Sequence, residues 1–185
     1  MPKYVLIGLI VVVGTFLIMN YWPKLKEQTK NRILMVIFGI FSCIILDILG
    51  YLLKLMGIPE PSWGIVGRWT YYMLKNATFY NPNIANMPNF RHEVLLGWIF
   101  HYYVSICWAV IYYFCFLMVG LKMTYFSGFI FGALTTLAPL LIFLPFTGQG
   151  VFANKTRIPI KTSIMFLIRH SIYGIAMYEG FRWFT

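Results

Sequence analysis

Acidic residues are scarce in this chain: five Asp and Glu stand against fifteen Lys and Arg, and charged residues of both signs make up only 11% of 185 residues. So thin a polar complement cannot cover a water-soluble globule of this length, which excludes a soluble enzyme or soluble binding module. No HExxH or CxxC pattern occurs, so no recognised metalloprotease or dithiol motif is present. The cysteines, Cys43, Cys107 and Cys115, lie singly inside apolar runs, which argues against a disulfide framework and for buried free thiols. Also missing is a basic patch interleaved with aromatics in a water-exposed domain, so the net charge of +10 does not indicate nucleic-acid binding.

What the chain has is apolar length, with 60% hydrophobic and 19% aromatic residues. A hydrocarbon layer of roughly 30 Å needs about 20 apolar residues per helix. Five segments meet that length, near Tyr4–Trp22, Ile33–Leu53, Val94–Val119, Thr124–Phe146 and Ser163–Phe184. Continuous runs exclude the alternating strands of a membrane barrel, so the expectation is an all-α polytopic bundle. The first segment lacks a small-residue cleavage pattern and reads as a retained anchor that, with its basic connection, occupies residues 1–32. Residues 33–185 then form a four-helix membrane core. Lys24, Lys26, Lys30 and Arg32 crowd the first connection, where a cytoplasmic face and anionic lipid favour them.

The connection from Lys54 to Glu93 is too long for a simple turn. Trp63 to Lys75 has the aromatic and basic makeup of a short helix in the membrane interface, and Asn81-Pro82-Asn83 and Met87-Pro88-Asn89 read as turns. Trp69 and Trp98 read as interfacial belt residues.

Ionisable residues inside apolar runs are costly and mark binding or proton sites. Asp47, His101 and His170 are three such residues, each in a different segment. At about 1.5 Å per residue each sits roughly 12 Å from the same face, and Pro139 roughly 13 Å. Helical spacing sets Gly39, Cys43, Asp47 and Gly50 on one stripe, and Gly97, His101, Ser105 and Ala109 on another. Gly128, Gly132, Thr136 and Pro139 make a third, and Ser163, Leu167, His170, Gly174 and Tyr178 a fourth. Small residues let membrane helices approach closely, so these stripes are expected to meet around one interior hollow. Gly128-Phe-Ile-Phe-Gly132 reads as a helix-packing motif, Arg169 as a side chain snorkelling to the surface, and Glu179 with Arg182 as a surface pair at helical spacing. Arg68 and Glu93 read either as interfacial charges or as contacts to a headgroup.

An ordered set of residues resembles a family of small bacterial inner-membrane proteins catalogued as a domain of unknown function. It runs from Asp47 with Gly50 and Gly67-Arg68-Trp69 to Glu93, Gly97-Trp98 and His101-Tyr102. It continues through Pro145, Gly148-Gln149-Gly150, Pro159, His170, Gly174 and Tyr178. The resemblance spans Ile33 to Phe184, and implies a multi-pass protein of the bacterial cytoplasmic membrane with a four-helix core. The Tyr4–Trp22 helix looks like an addition to that pattern. The glycine pair 148/150 lacks phosphate-loop lysine spacing and reads as a tight turn.

The sequence therefore leaves three classes of function. In the first, Asp47, His101, His170, Thr136 and Tyr102, with Arg68 and Glu93 above them, bind or conduct a small polar solute, cation or proton, as in a small transporter. In the second, His101, His170 and Asp47 hold a transition metal or haem, or the site modifies a lipid or quinone; nothing in the sequence requires a cofactor. In the third the polar layer only specifies assembly. A thin wall of helices makes a homodimer or larger membrane complex the expected state.

Overall fold

The computed structural model describes residues 28–58 and 61–182, so the expected Tyr4–Trp22 anchor lies outside the described residues. Six α-helices follow: α1 (Gln28–Leu55), α2 (Trp63–Asn76), α3 (Glu93–Val119), α4 (Tyr125–Thr135), the short α5 (Leu144–Phe146) and α6 (Pro159–Arg182). A π-helical turn, Pro139–Phe143, joins α4 to α5, and no strand occurs among the described residues.

The ends of these helices follow from local chemistry. The Ser62 side chain accepts the Ile65 amide and starts α2; Thr124 and Ser127 cap each other's backbone at the start of α4. Gly120 closes α3 in the left-handed region at φ 66°, where its lack of a Cβ removes the strain. Pro139 has no amide proton, and α4 stops at Thr135, four residues before it. The chain resumes with i→i+5 bonding, the Leu144 amide donating to the Pro139 carbonyl. Gly148 and Gly150, at φ 83° and 78°, make the expected turn, and a side chain at Gly148 would collide with the Pro82 backbone.

Among the described residues, three helices are long and apolar enough to cross a membrane: Ile33–Leu55, Glu93–Phe116 and Tyr125–Phe146. Of the five expected, the first lies outside the described residues and the last, α6, falls short in apolarity. α6 is as long, but Lys161, Arg169, His170, Glu179 and Arg182 lower its apolarity. Its packing explains why it carries them. α6 is flanked by α1 on one side and α4 on the other, and from Arg169 to Phe181 most of its residues are buried in protein. α1 shows the opposite pattern, presenting Ile33, Ile37, Phe41, Ile44, Ile48 and Leu52 outward in the arrangement of a lipid-facing stripe.

The small-residue stripes do bring backbones together. Gly128 and Gly132 of α4 meet Gly174 and the His170 carbonyl of α6 so closely that a methyl group on any of the three glycines would overlap the opposing main chain. Gly39 of α1 lies on the Ser105–Ile106 backbone of α3, and the Ser105 hydroxyl donates to the Gly39 carbonyl at 2.8 Å. The Tyr173 hydroxyl donates to the Ser105 carbonyl at 3.0 Å, tying α6 into the same junction. Below it Phe38, Tyr112, Met177 and Phe181 form the apolar core.

The helix expected from Trp63 to Lys75 is present, but it is not an isolated interfacial helix. α2 runs alongside the first turns of α3 in the opposite direction, with Gly67 against the Glu93 carbonyl and Gly97 against that of Trp63. This pairing brings the start of α2 down to the level of His101.

Candidate functional site

Asp47 and His101 meet: the carboxylate Oδ1 and the imidazole Nε2 are 2.9 Å apart, with only 15% and 21% of the two side chains exposed. Asp47 lies two turns from the end of α1 and His101 two turns from the start of α3, so equal depth and the Gly39 contact bring them face to face. The Trp63 ring covers His101 at a centroid distance of 4.6 Å, holding the imidazole from the α2 side. The Tyr102 phenol lies near the Asp47 carboxylate. One turn back along α1, Cys43 is 1% exposed, and its sulfur, an Asp47 oxygen and a His101 nitrogen all lie within 4.8 Å of one another.

Beside this cluster is a cavity of about 260 Å³ between α1, α2, α3, the π turn and α6. Its wall is mainly aromatic and aliphatic, including Trp63, Trp69, Trp108, Phe143, Phe166 and Tyr173. Polar groups enter from two sides: Cys43, His101 and Ser105 from α1 and α3, and Arg169 and His170 from α6. Pro139 lines it as well, so the π turn sits where the wall must widen. His170 reaches the expected hollow, but its Nδ1 is bonded to the Phe166 carbonyl at 2.8 Å and it is not part of the close Cys43–Asp47–His101 group.

Arg169 does not snorkel. It is 7% exposed, and its guanidinium lies against the bare Cα of Gly50, where a Cβ would collide with it. The side chain borders both the main cavity and a smaller one of about 30 Å³ that also touches Ile58, Pro61 and Ile158 near the helix ends. Sequence reading missed Arg169 because its neighbour His170 faces inward and adjacent helical residues diverge by about 100°. The signal that could have found it was Gly50, a gap at matching depth on the helix opposite.

Other expected site residues lie elsewhere. Thr136 is buried, but its hydroxyl turns back to the Gly132 carbonyl and it does not line the cavity. Arg68 and Glu93 form a two-bond ion pair, 2.8 and 2.9 Å, that clamps α2 to α3. Arg68 Nη1 also donates to the carbonyls of Ala85 and Met87, anchoring the following loop. The hydrogen bonds to Glu93 raise the Arg68 pKa further above the usual arginine range, so the clamp keeps its positive charge. These are architectural roles: Arg68→Gln is expected to cost about 2 kcal/mol, read as a lower melting temperature in detergent. Trp69 is also not a belt residue; it is 5% exposed, donates to the Phe79 carbonyl at 2.7 Å and stands edge-on to Phe100 and Phe143 in the cavity wall. The Glu179–Arg182 pair forms as expected, at 2.8 Å, and the three cysteines are free thiols.

A family model described as "Protein of unknown function (DUF2938)" matches residues 36–182, which contain the whole cavity. The chain belongs to that family. No curated protein and no solved structure matches it.

Proposed function

We propose that this is a multi-pass protein of the bacterial cytoplasmic membrane that binds an amphiphilic molecule drawn from the bilayer, with α6 as a further spanning helix shielded by its neighbours. The observation that carries this reading is the aromatic cavity of about 260 Å³ with Arg169, His101 and His170 set in its wall. Binding sites for small molecules combine a mainly apolar wall with a few convergent polar groups that orient the ligand. An aromatic wall gives a small hydrated solute little to replace its water, whereas it suits a ring or unsaturated chain. Arg169 then holds a carboxylate, phosphate or carbonyl oxygen, because its planar fork pairs with such acceptors. The imidazole of His170 supplies a hydrogen bond to the ligand's polar end.

The test is extraction of the full-length protein purified in mild detergent, followed by mass spectrometry of what is released. A discrete amphiphile enriched over bulk lipid is expected. Val104→Trp, which fills the cavity from α3, is expected to lower its amount at least about tenfold, equivalent to about 1.4 kcal/mol. Extracts that match bulk lipid, or that are the same for both proteins, would overturn the proposal.

A further inference from the structure

The geometry points to a second site bordering the cavity: a transition-metal site of the zinc class formed by Cys43, Asp47 and His101. It does not rest on the amphiphile reading, although Cys43 and His101 border both sites: Asp47 does not line the cavity, and no ligand from the bilayer is needed to complete the metal site.

Three donors of different chemistry converge there from two helices. A thiol, a carboxylate oxygen and an imidazole nitrogen lie within 4.8 Å of one another, at most about 1–1.5 Å wider than the roughly 3.3–3.8 Å that bonds of about 2.0–2.3 Å set between ligands of a tetrahedral ion, so a small side-chain adjustment closes them on one. A buried ion pair alone would explain Asp47 Oδ1 and His101 Nε2, but it leaves two facts over. The sulfur of Cys43 approaches the same point, although a thiol packing as a small hydrophobe needs no polar neighbour. Asp47 Oδ2 is buried and makes no hydrogen bond among the described residues, with the Tyr102 phenol nearby but not bonded to it, and such an oxygen in an apolar interior is well served by a cation.

Charge favours a divalent ion over a monovalent one. A dication with one thiolate and one carboxylate is neutral, and a neutral centre is what a hydrocarbon setting tolerates. The mixed sulfur, nitrogen and oxygen set suits zinc or cobalt(II), whereas copper(I) prefers soft ligands and magnesium prefers oxygen alone. Binding requires Cys43 to give up its thiol proton. His101 Nε2 must also lose its proton or shift it to Nδ1, so metal uptake releases at least one proton per ion. Cys43 and His101 both face the cavity, which leaves the fourth position open on that side for water or a ligand oxygen.

Cobalt(II) tests this because a thiolate ligand gives it a charge-transfer band and tetrahedral geometry gives it intense visible bands. Full-length protein is stripped with chelator and titrated with cobalt(II), then with zinc. We expect both sets of bands at one ion per chain, lost when zinc displaces cobalt. Cys43→Ser is expected to abolish the charge-transfer band, and His101→Gln to weaken binding by at least about 100-fold. His92→Ala, at the exposed start of α3, is expected to leave both unchanged. Absence of a thiolate band in the parent protein would overturn the assignment whatever the variants do, as would a band that persists in Cys43→Ser.

Discussion

Replacing Gly132 with leucine is expected to produce a large loss of stability. The reason is the absence of space: even one methyl group there overlaps the His170 carbonyl and crowds the Gly174 amide. Main chain cannot move aside as a flexible side chain can, so α4 and α6 must separate. Overpacking of this kind costs about 3 kcal/mol, and here it also forfeits the dispersion contacts along the whole crossing. In a membrane these contacts are the main force between helices, since lipid tails compete equally well for apolar surface. The expected result is a melting temperature in detergent lower by roughly 10 °C and a reduced level in the membrane. Leu134→Ala, on the exposed face of α4, is expected to stay within about 0.5 kcal/mol. A Gly132→Leu protein that melts with the parent would mean that α4 and α6 do not cross as described. The same crossing holds the cavity wall, because His170 and Gly174 belong to the surface that Gly132 grips. Loss of this contact should therefore remove the bound amphiphile along with stability.

Much of this arrangement could be read from residue spacing, and the reasons are physical. Apolar runs marked α1, α3 and α6 because a membrane helix must satisfy its backbone internally. Asp47 and His101 could be paired on paper, since helical rise converts residue count directly into depth. The glycine stripe of α4 was legible for a similar reason: only close backbones need such a run of missing side chains. What spacing could not supply was the relative rotation of helices. Thr136 shares a stripe with Gly132 yet bonds back to its carbonyl, and it stays out of the cavity. Arg68 and Glu93 looked available to a headgroup until the α2–α3 pairing joined them to each other. Trp69 has the composition of an interfacial anchor, but the same pairing turns it inward. The aromatic character of the cavity depends on α2 descending beside α3, and that contact arises from Gly67 and Gly97, which no periodicity within either segment relates.

Arg169→Met is the change expected to separate binding from folding. Methionine retains much of the unbranched stem, so the wall of the cavity keeps its bulk, while the planar cation is lost. Arg169 also interacts within the protein, so melting falls somewhat, but it should not fall as far as for Gly132→Leu, where main chains must part. Ligand retention should fall steeply. Deleting one member of a buried charge-assisted contact costs about 3 kcal/mol, which corresponds to about a 100-fold weaker complex. Arg169→Lys should fall between, because an ammonium carries the charge without the two-pronged geometry. Gly50 gives a second way to reach the same group without touching the cavity, since it does not line the main chamber. Gly50→Ala sets a methyl against the guanidinium and must displace it, so partial loss of ligand is expected with Arg169 itself intact. The measurement is the amount of co-purified amphiphile per protein, compared across the three variants alongside melting temperature. An Arg169→Met protein that carries as much as the parent would show that the guanidinium does not hold the ligand's polar end.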